Sequence, residues 1–209
     1  MRARVVAFVL LAVVTAAVAG CAGADDDQAE ANPAPRRAAA CPAAWKPGWQ
    51  RVAARVRAPV FCPSWMPNPL TGEIGGPWDN GVSIDRDRSY LVSFLYHEAG
   101  NDVHVNFRGY PGRTRVPRCE DVQTAGGKTL RRPVPCFADP QRPRRIGRFR
   151  VTLYTANRDV DQWHLLYAWR YRGSLYTLSA HVAPPYTLAQ VRRNLARMLR
   201  SLTLVRPPT

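Results

Sequence analysis

The sequence predicts an α+β fold: a twisted antiparallel sheet of about 5–7 strands, with an N-terminal and a C-terminal helix packed on one face. Three observations predict it. A helical pattern over residues 49–56 comes first, two strong hairpin patterns lie between residues 89 and 182, and an amphipathic helical pattern follows Pro185. The sequence contains no internal repeat, and residues 41–209 are long enough for one domain with its own core.

The first element is a short helix. Apolar residues recur at helical spacing at Trp49, Val52, Ala53 and Val56, and arginines occupy the other face. The next segment, APVFCPSWMPNPLTG, contains four prolines. It is expected to be extended or turned, because proline fixes φ and lacks the backbone N–H.

The segment SYLVSFLYHEAGNDVHVNFRG predicts the first hairpin. A two-residue turn at Gly100-Asn101 would place one face apolar and the other polar, as in a sheet covered on one side. In this register, the pairs on the mainly apolar face are Phe94/Phe107, Tyr96/Val105 and Glu98/Val103. The pairs on the mainly polar face are Ser93/Arg108, Leu95/Asn106 and His97/His104.

Four cysteines of the domain are expected to form two disulfides, Cys41–Cys62 and Cys119–Cys136. Four cysteines allow three connectivities. The nearest-neighbour one is favoured because a turn at Gly126-Gly127 would fold the second pair together as a hairpin. A zinc site is the competing hypothesis, but no two of these cysteines have the C-x-x-C spacing.

The remaining elements follow in order. FRVTLYTA is typical of a strand, and QWHLLYAWRYRGSLYTLSAHV predicts a second hairpin that turns near Arg172-Gly173. The C-terminal helix is expected to begin after a Thr187 N-cap. It would place one apolar row on the sheet, formed by Leu188, Val191, Leu195, Leu199 and Leu202.

The N-terminus has the layout of a secretory signal. Arg2 and Arg4 precede an apolar run over residues 5–18, and small residues lead to Cys21. Val18-Ala19-Gly20-Cys21 resembles the lipobox of bacterial lipoproteins, with Val18 where leucine is usual. The resemblance implies a signal peptide over residues 1–20, a diacylglyceryl group on the Cys21 thiol and a palmitate-type lipid anchor in the cell membrane. An uncleaved transmembrane anchor and a plain secreted protein are the alternatives.

Residues 22–40 lack large apolar side chains and predict a flexible tether, so residues 21–40 form a lipidated, flexible segment before the domain. The PVFCPSWMP segment and the terminal YTLAQVRRNLARMLRSL segment also resemble uncharacterised actinobacterial extracytoplasmic lipoproteins, over about residues 41–205. These motifs are structural, and the resemblance implies no site residue.

Charge suggests an anionic partner. The net charge is +15, and arginine supplies nearly all of it. Such a surface favours anionic headgroups or a wall polymer, and an extracytoplasmic location excludes nucleic acid as the expected partner. The densest basic run is a candidate anion-binding patch, with a solvated loop as the alternative; it consists of Arg142, Arg144, Arg145, Arg148 and Arg150.

Histidines are the candidates for a metal or catalytic site. The predicted register places His97 beside His104, but a third ligand is missing, because Glu98 would point to the other face. Two polar residues on the open side of the hairpin are the alternative. In the second hairpin, His164 is expected to lie on the face opposite Tyr167 and Trp169.

Other motifs carry no chemistry. Gly127-Lys128-Thr129 ends like a phosphate-binding loop, but Val122 stands where its first glycine is required. Ser174, Ser179 and His181 have no nucleophile-elbow motif around them. One aromatic stripe is expected in the core, with a ligand pocket as the alternative; it consists of Trp163, Tyr167, Trp169, Tyr171 and Tyr176.

The sequence therefore favours a lipid-anchored, extracytoplasmic envelope protein that acts as a non-catalytic binding, sensing or assembly module. One alternative is a carrier of a lipid or hydrophobic small molecule in a pocket between sheet and helix. The other is an envelope hydrolase or metal-binding protein that uses His97 and His104. No cofactor motif is found, so no cofactor is predicted.

Overall fold

A computed structural model describes residues 39–70, 82–98, 101–156 and 164–208, and Ala38–Thr209 form one compact unit. Cys21, the signal segment, Gly100 and Trp163 lie outside the described residues. The elements run in the order α1 (Lys46–Val56), β1 (Val60–Cys62), β2 (Val82–Ile84), β3 (Tyr90–Glu98), β4 (Asn101–Tyr110), β5 (Arg118–Ala125), β6 (Lys128–Pro135), β7 (Phe137–Ala138), β8 (Arg144–Ile146), β9 (Phe149–Ala156), β10 (His164–Tyr171), β11 (Ser174–His181), α2 (Leu188–Ser201) and β12 (Thr203–Val205).

The main sheet is antiparallel and confirms the α+β class. Its strand order is β2-β3-β4-β11-β10-β9-β7, and β8 also pairs with β9. Two further pairs stand apart from it: β5 with β6, and β1 with β12. The sequence patterns predict the five long strands of the main sheet and the β5–β6 hairpin. They do not predict the β1–β12 pair, because three-residue strands are too short for a periodic signal.

The register of the β3–β4 hairpin differs from the expectation by two residues. Phe94 pairs with Val105, and Leu95 pairs with His104. The pair Glu98/Asn101 closes the described part of the hairpin, so Asn101 belongs to the strand and not to the turn. A shift of two residues keeps every side chain on its face, because strand side chains alternate with a period of two. The apolar and polar faces are therefore as predicted, while the opposed pairs are wrong.

Most of the core lies on one face of the main sheet. Phe61 is its centre, with ring centroids 4.9 Å from Tyr176 and 5.4 Å from Trp169 in edge-to-face contacts. Trp49 of α1 contacts Phe107 of β4 at 5.3 Å. From α2, Leu195 belongs to the same buried cluster. The aromatic stripe is thus core, as expected for Tyr167, Trp169 and Tyr176, each at most 3% exposed.

Local chemistry fixes the C-terminal helix. The Thr187 hydroxyl accepts a hydrogen bond from the Gln190 N–H, and the Gln190 side chain accepts one from the Thr187 N–H at 2.8 Å. This capping box satisfies two donors at the start of α2. After α2, the chain turns back, and β12 pairs with β1 so that Leu204 faces Phe61. Leu202, predicted as the last helical apolar residue, is the C-cap.

Both predicted disulfides are present. Cys41 and Cys62 are joined with their Cα atoms 5.6 Å apart, and Cys119 and Cys136 with theirs 4.8 Å apart. The first bond ties the start of the domain to β1 in the core, and the second closes the base of the β5–β6 hairpin. Among the described residues, no helix is long and apolar enough to cross a membrane.

Candidate functional site

A cavity of about 660 Å³ opens where the Tyr171 end of β10 and the Phe149 end of β9 approach β1 and β12. Its lining combines aromatic and basic side chains. The aromatic members are Phe61, Phe149, Tyr154, Trp169 and Tyr171, and the basic members are Arg148, Arg150 and Arg170. This volume lies within the roughly 300–1,000 Å³ typical of small-molecule sites.

Two of the three arginines are held in place by backbone carbonyls. Arg148 donates a hydrogen bond from Nη2 to the Leu202 carbonyl at 2.7 Å, and its guanidinium lies 5.0 Å from the Phe149 ring centroid. Arg170 donates from Nε to the Thr114 carbonyl at 2.9 Å. Each guanidinium has five N–H donors, so donors remain for a ligand. No aspartate or glutamate is among the described residues that line the cavity.

The aromatic side of the cavity is rigid because it is part of the core. Phe61 is 3% exposed and Trp169 is 3% exposed, and each is packed against Phe149, at 5.5 and 5.3 Å between ring centroids. Aromatic rings held in this way offer apolar surface without further ordering. The cavity is therefore suited to binding a molecule with both an apolar and an anionic part.

The predicted basic patch is divided by the structure. Arg148 and Arg150 line the cavity. Arg144 turns to the core: its guanidinium lies 5.1 Å from the Tyr167 ring centroid and donates to the Tyr167 hydroxyl. Burial, and then the charge of Arg192, lower the pKa of Arg144. Arg145 donates to the Gly147 carbonyl at 3.2 Å across its own turn.

Arg142 is exposed in the segment before β8. Arg145 pairs with Arg150 across the β8–β9 hairpin, whereas Arg144 alternates to the other face. A basic site forms instead from Arg148, Arg150 and Arg170, the last of which lies on β10, the next strand along the chain.

A second polar cluster, the histidine row, consists of His104, His164 and His181 on three adjacent strands. His164 pairs directly with His181, and His104 continues the β4–β11 register one position beyond the Val105/Ala180 pair. The ring centroids are 4.6 Å apart for His104 and His164, 5.2 Å for His164 and His181, and 5.7 Å for His104 and His181. His164 lies on the face opposite Tyr167, as predicted.

The row continues into polar neighbours on the same face. Asn106 Nδ2 lies 3.1 Å from His104 Nε2, and the Ser93 hydroxyl donates to Asn106 Oδ1 at 2.5 Å. His164 and His181 are buried, at 3% and 8% exposure, and His104 is half-buried. The expected partnership of His97 with His104 is wrong, since His97 pairs with Asp102 in the backbone register. The side chain of His97 lies outside the described part of the structure.

The residues that sequence reasoning missed had a partial signal. A turn at Arg172-Gly173 already places His164 opposite His181, so the register of the second hairpin could have revealed that pair. The approach of β4 to β11 had no local signal. Ser174, also considered as a nucleophile, accepts a hydrogen bond from the Gly112 N–H at 3.0 Å and so serves the turn after β4.

The chain matches no protein-family model, no curated protein and no solved structure at a significant level.

Proposed function

We propose that the protein is a lipid-anchored, extracytoplasmic binding module of the cell envelope, whose cavity takes an anionic ligand with an apolar body. The observation that carries the proposal is the cavity lining, in which Arg148, Arg150 and Arg170 occur together with aromatic side chains and no described carboxylate. Three like charges around one cavity attract anions, and the low-dielectric wall strengthens that attraction.

The cavity favours an amphiphile over a simple anion. A phosphate or sulfate needs donors but gains little from aromatic surface. An acyl or isoprenoid chain with a carboxylate or phosphate head would use both parts of the lining. This ligand class is consistent with the proposed location at the membrane surface. A carrier of such molecules and a sensor that responds to them would use the same cavity.

The proposed membrane location is argued from the N-terminal segment. Two disulfides use Cys41, Cys62, Cys119 and Cys136, which leaves Cys21 as the odd cysteine at the end of the lipobox. An odd cysteine with its own motif supports a separate chemical role. We further propose that both helices cover the same face of the sheet, because the buried residues of α1 and α2 belong to one cluster.

Binding of a fluorescent fatty acid, cis-parinaric acid, to the full-length protein tests the cavity, with its methyl ester as the uncharged probe. The acid is expected to bind and the ester to bind more weakly. The triple variant Arg148→Gln, Arg150→Gln, Arg170→Gln should weaken acid binding by about tenfold or more, because a charge-assisted hydrogen bond contributes roughly 1.5–3 kcal/mol.

The matched control is Arg51→Gln, Arg55→Gln, Arg193→Gln, which removes the same charge from exposed helix positions outside the cavity. It should bind the acid like the unaltered protein. Equal losses in both triple variants would show a general charge effect and refute a cavity site. The address is tested separately by the intact mass of membrane-extracted protein: loss of residues 1–20 with added acyl chains is expected, and an unprocessed N-terminus would refute it.

A further inference from the structure

We propose that His104, His164 and His181 form a binding site for a divalent late transition ion, Zn²⁺ or Cu²⁺, on the sheet face opposite the main core. The proposal is independent of the cavity and of its ligand. Three of the four histidines of the chain meet in this row. His164 and His181 face each other across the β10–β11 hairpin, and His104 comes from β4, which lies far earlier in the chain and pairs with β11.

The distance between two ring nitrogens carries the argument. His104 Nε2 and His164 Nε2 are 3.1 Å apart. Two imidazole nitrogens bound to one tetrahedral Zn²⁺ at about 2.0–2.1 Å would be separated by about 3.3 Å. A shift of a few tenths of an ångström would therefore let both nitrogens bind one ion.

The hydrogen bonding around His104 supports a shared cation. Asn106 Nδ2 and His164 Nε2 both lie 3.1 Å from His104 Nε2. An sp² imidazole nitrogen has one lone pair, or one N–H, so it cannot serve both neighbours well at once. Rotation of the Asn106 amide by a half turn would present its oxygen to this point and its NH₂ to Ser93 Oγ. That arrangement would place an oxygen ligand beside an ion bound to His104 Nε2.

His181 is the third ligand. Its ring is stacked on His164 with an interplanar angle of 27°, and its centroid is 5.2 Å away. Among the described residues, no three histidine, cysteine, aspartate or glutamate side chains already stand as a complete metal-binding group. Rotation of the His181 ring toward the His104–His164 pair would complete it. Strands, rather than loops, hold all three residues, so only side chains need to move.

The chemistry of the row selects the ion. Imidazole suits Zn²⁺, Cu²⁺ and Ni²⁺, whereas Ca²⁺ and Mg²⁺ require oxygen ligands. Three histidine ligands leave the fourth coordination position of a tetrahedral ion for Asn106 or water.

The test is metal titration of the full-length, chelator-treated protein. One Co²⁺ per chain should bind, with visible d–d absorption of a low-symmetry site, and Zn²⁺ should displace it. His104→Gln and His181→Gln should each lose Co²⁺ binding, and Asn106→Ala should weaken it because the amide oxygen is lost as a ligand.

Controls separate this site from other donors. The Cys21→Ser variant should bind Co²⁺ unchanged, which excludes an unlipidated N-terminal thiol, and circular dichroism checks that each variant is folded. His97→Ala should also retain binding. Absence of a one-to-one complex, or retention of it in folded His104→Gln and His181→Gln, would overturn the proposal. Loss of binding in His97→Ala alone would return the site to the pair expected from the first hairpin's sequence.

Discussion

The β10–β11 and β5–β6 hairpins are nearly identical in local design and opposite in burial. Both have eight-residue strands joined by a two-residue turn with positive φ, 45° and 73° at Arg172-Gly173, 56° and 75° at Gly126-Gly127. All eight residues of β11 are buried, whereas Asp121 is the one buried residue of β5 and β6. The same turn chemistry therefore serves a core hairpin and a solvated one.

The solvated hairpin replaces burial with covalent and polar links. Cys119–Cys136 closes its base, and Asp121 pairs with Arg132 across the strands at 2.7 Å. A two-stranded hairpin without such support is marginal in water. The buried hairpin needs no disulfide, since β4 and β9 flank it and the core covers one face. Loss of a contact in the β10–β11 hairpin should thus destabilise the whole domain. Loss of a contact in the β5–β6 hairpin should destabilise only that segment.

The largest expected difference comes from leucine truncation. Leu178→Ala in β11 removes a side chain that is 0% exposed, and should lower the free energy of unfolding by about 2–5 kcal/mol because a cavity is left. Leu130→Ala in β6, at 61% exposure, should change it by less than about 0.5 kcal/mol. Urea denaturation of the disulfide-intact protein measures both. Similar losses in the two variants would contradict the comparison.

Removal of the hairpin disulfide tests how far the β5–β6 segment is independent. Loop-closure entropy gives Cys119→Ser, Cys136→Ser a cost of about 3 kcal/mol. The cost should be confined to the segment: amide hydrogens of β5 and β6 should lose their exchange protection, and those of β11 should keep theirs. Cys41→Ser, Cys62→Ser is the matched variant, and should weaken protection throughout because Cys62 is fully buried. Uniform loss in both variants would mean that the hairpin is part of the cooperative core.

The smallest effects are expected from the turn glycines. Gly173 has φ 73° and Gly127 has φ 75°, with open space around both Cβ positions. Alanine at either site should cost about 1–2 kcal/mol, because left-handed backbone is unfavourable for residues with a Cβ. Gly173→Ala should lower the thermal midpoint of the domain, and Gly127→Ala should affect exchange in β5 and β6 alone. Equal shifts of the midpoint would show that burial does not decide how the strain is transmitted.

Sequence patterns predicted the features that depend on neighbours in the chain. Gly126-Gly127 and Arg172-Gly173 located two hairpin turns, Thr187 located the start of α2, and cysteine spacing identified both disulfides. The first hairpin was predicted with its turn at Gly100-Asn101, whereas Asn101 pairs with Glu98 as part of β4, so the register differs by two residues. The two registers bury the same side chains, so the hydrophobic pattern cannot distinguish them.

The candidate sites were decided by pairings between distant strands. Each histidine and arginine concerned was visible in the sequence, and the face of His164 followed from simple alternation. The insertion of β4 beside β11, which brings His104 to His164 and His181, joins residues 60 and 77 positions apart. Arg170 meets Arg148 and Arg150 through a shorter-range pairing, because the consecutive strands β9 and β10 lie side by side. Local turn and capping energies act within a few residues and cannot choose among such pairings. That choice depends on the burial gained by the whole sheet, and it is made only when the tertiary structure forms.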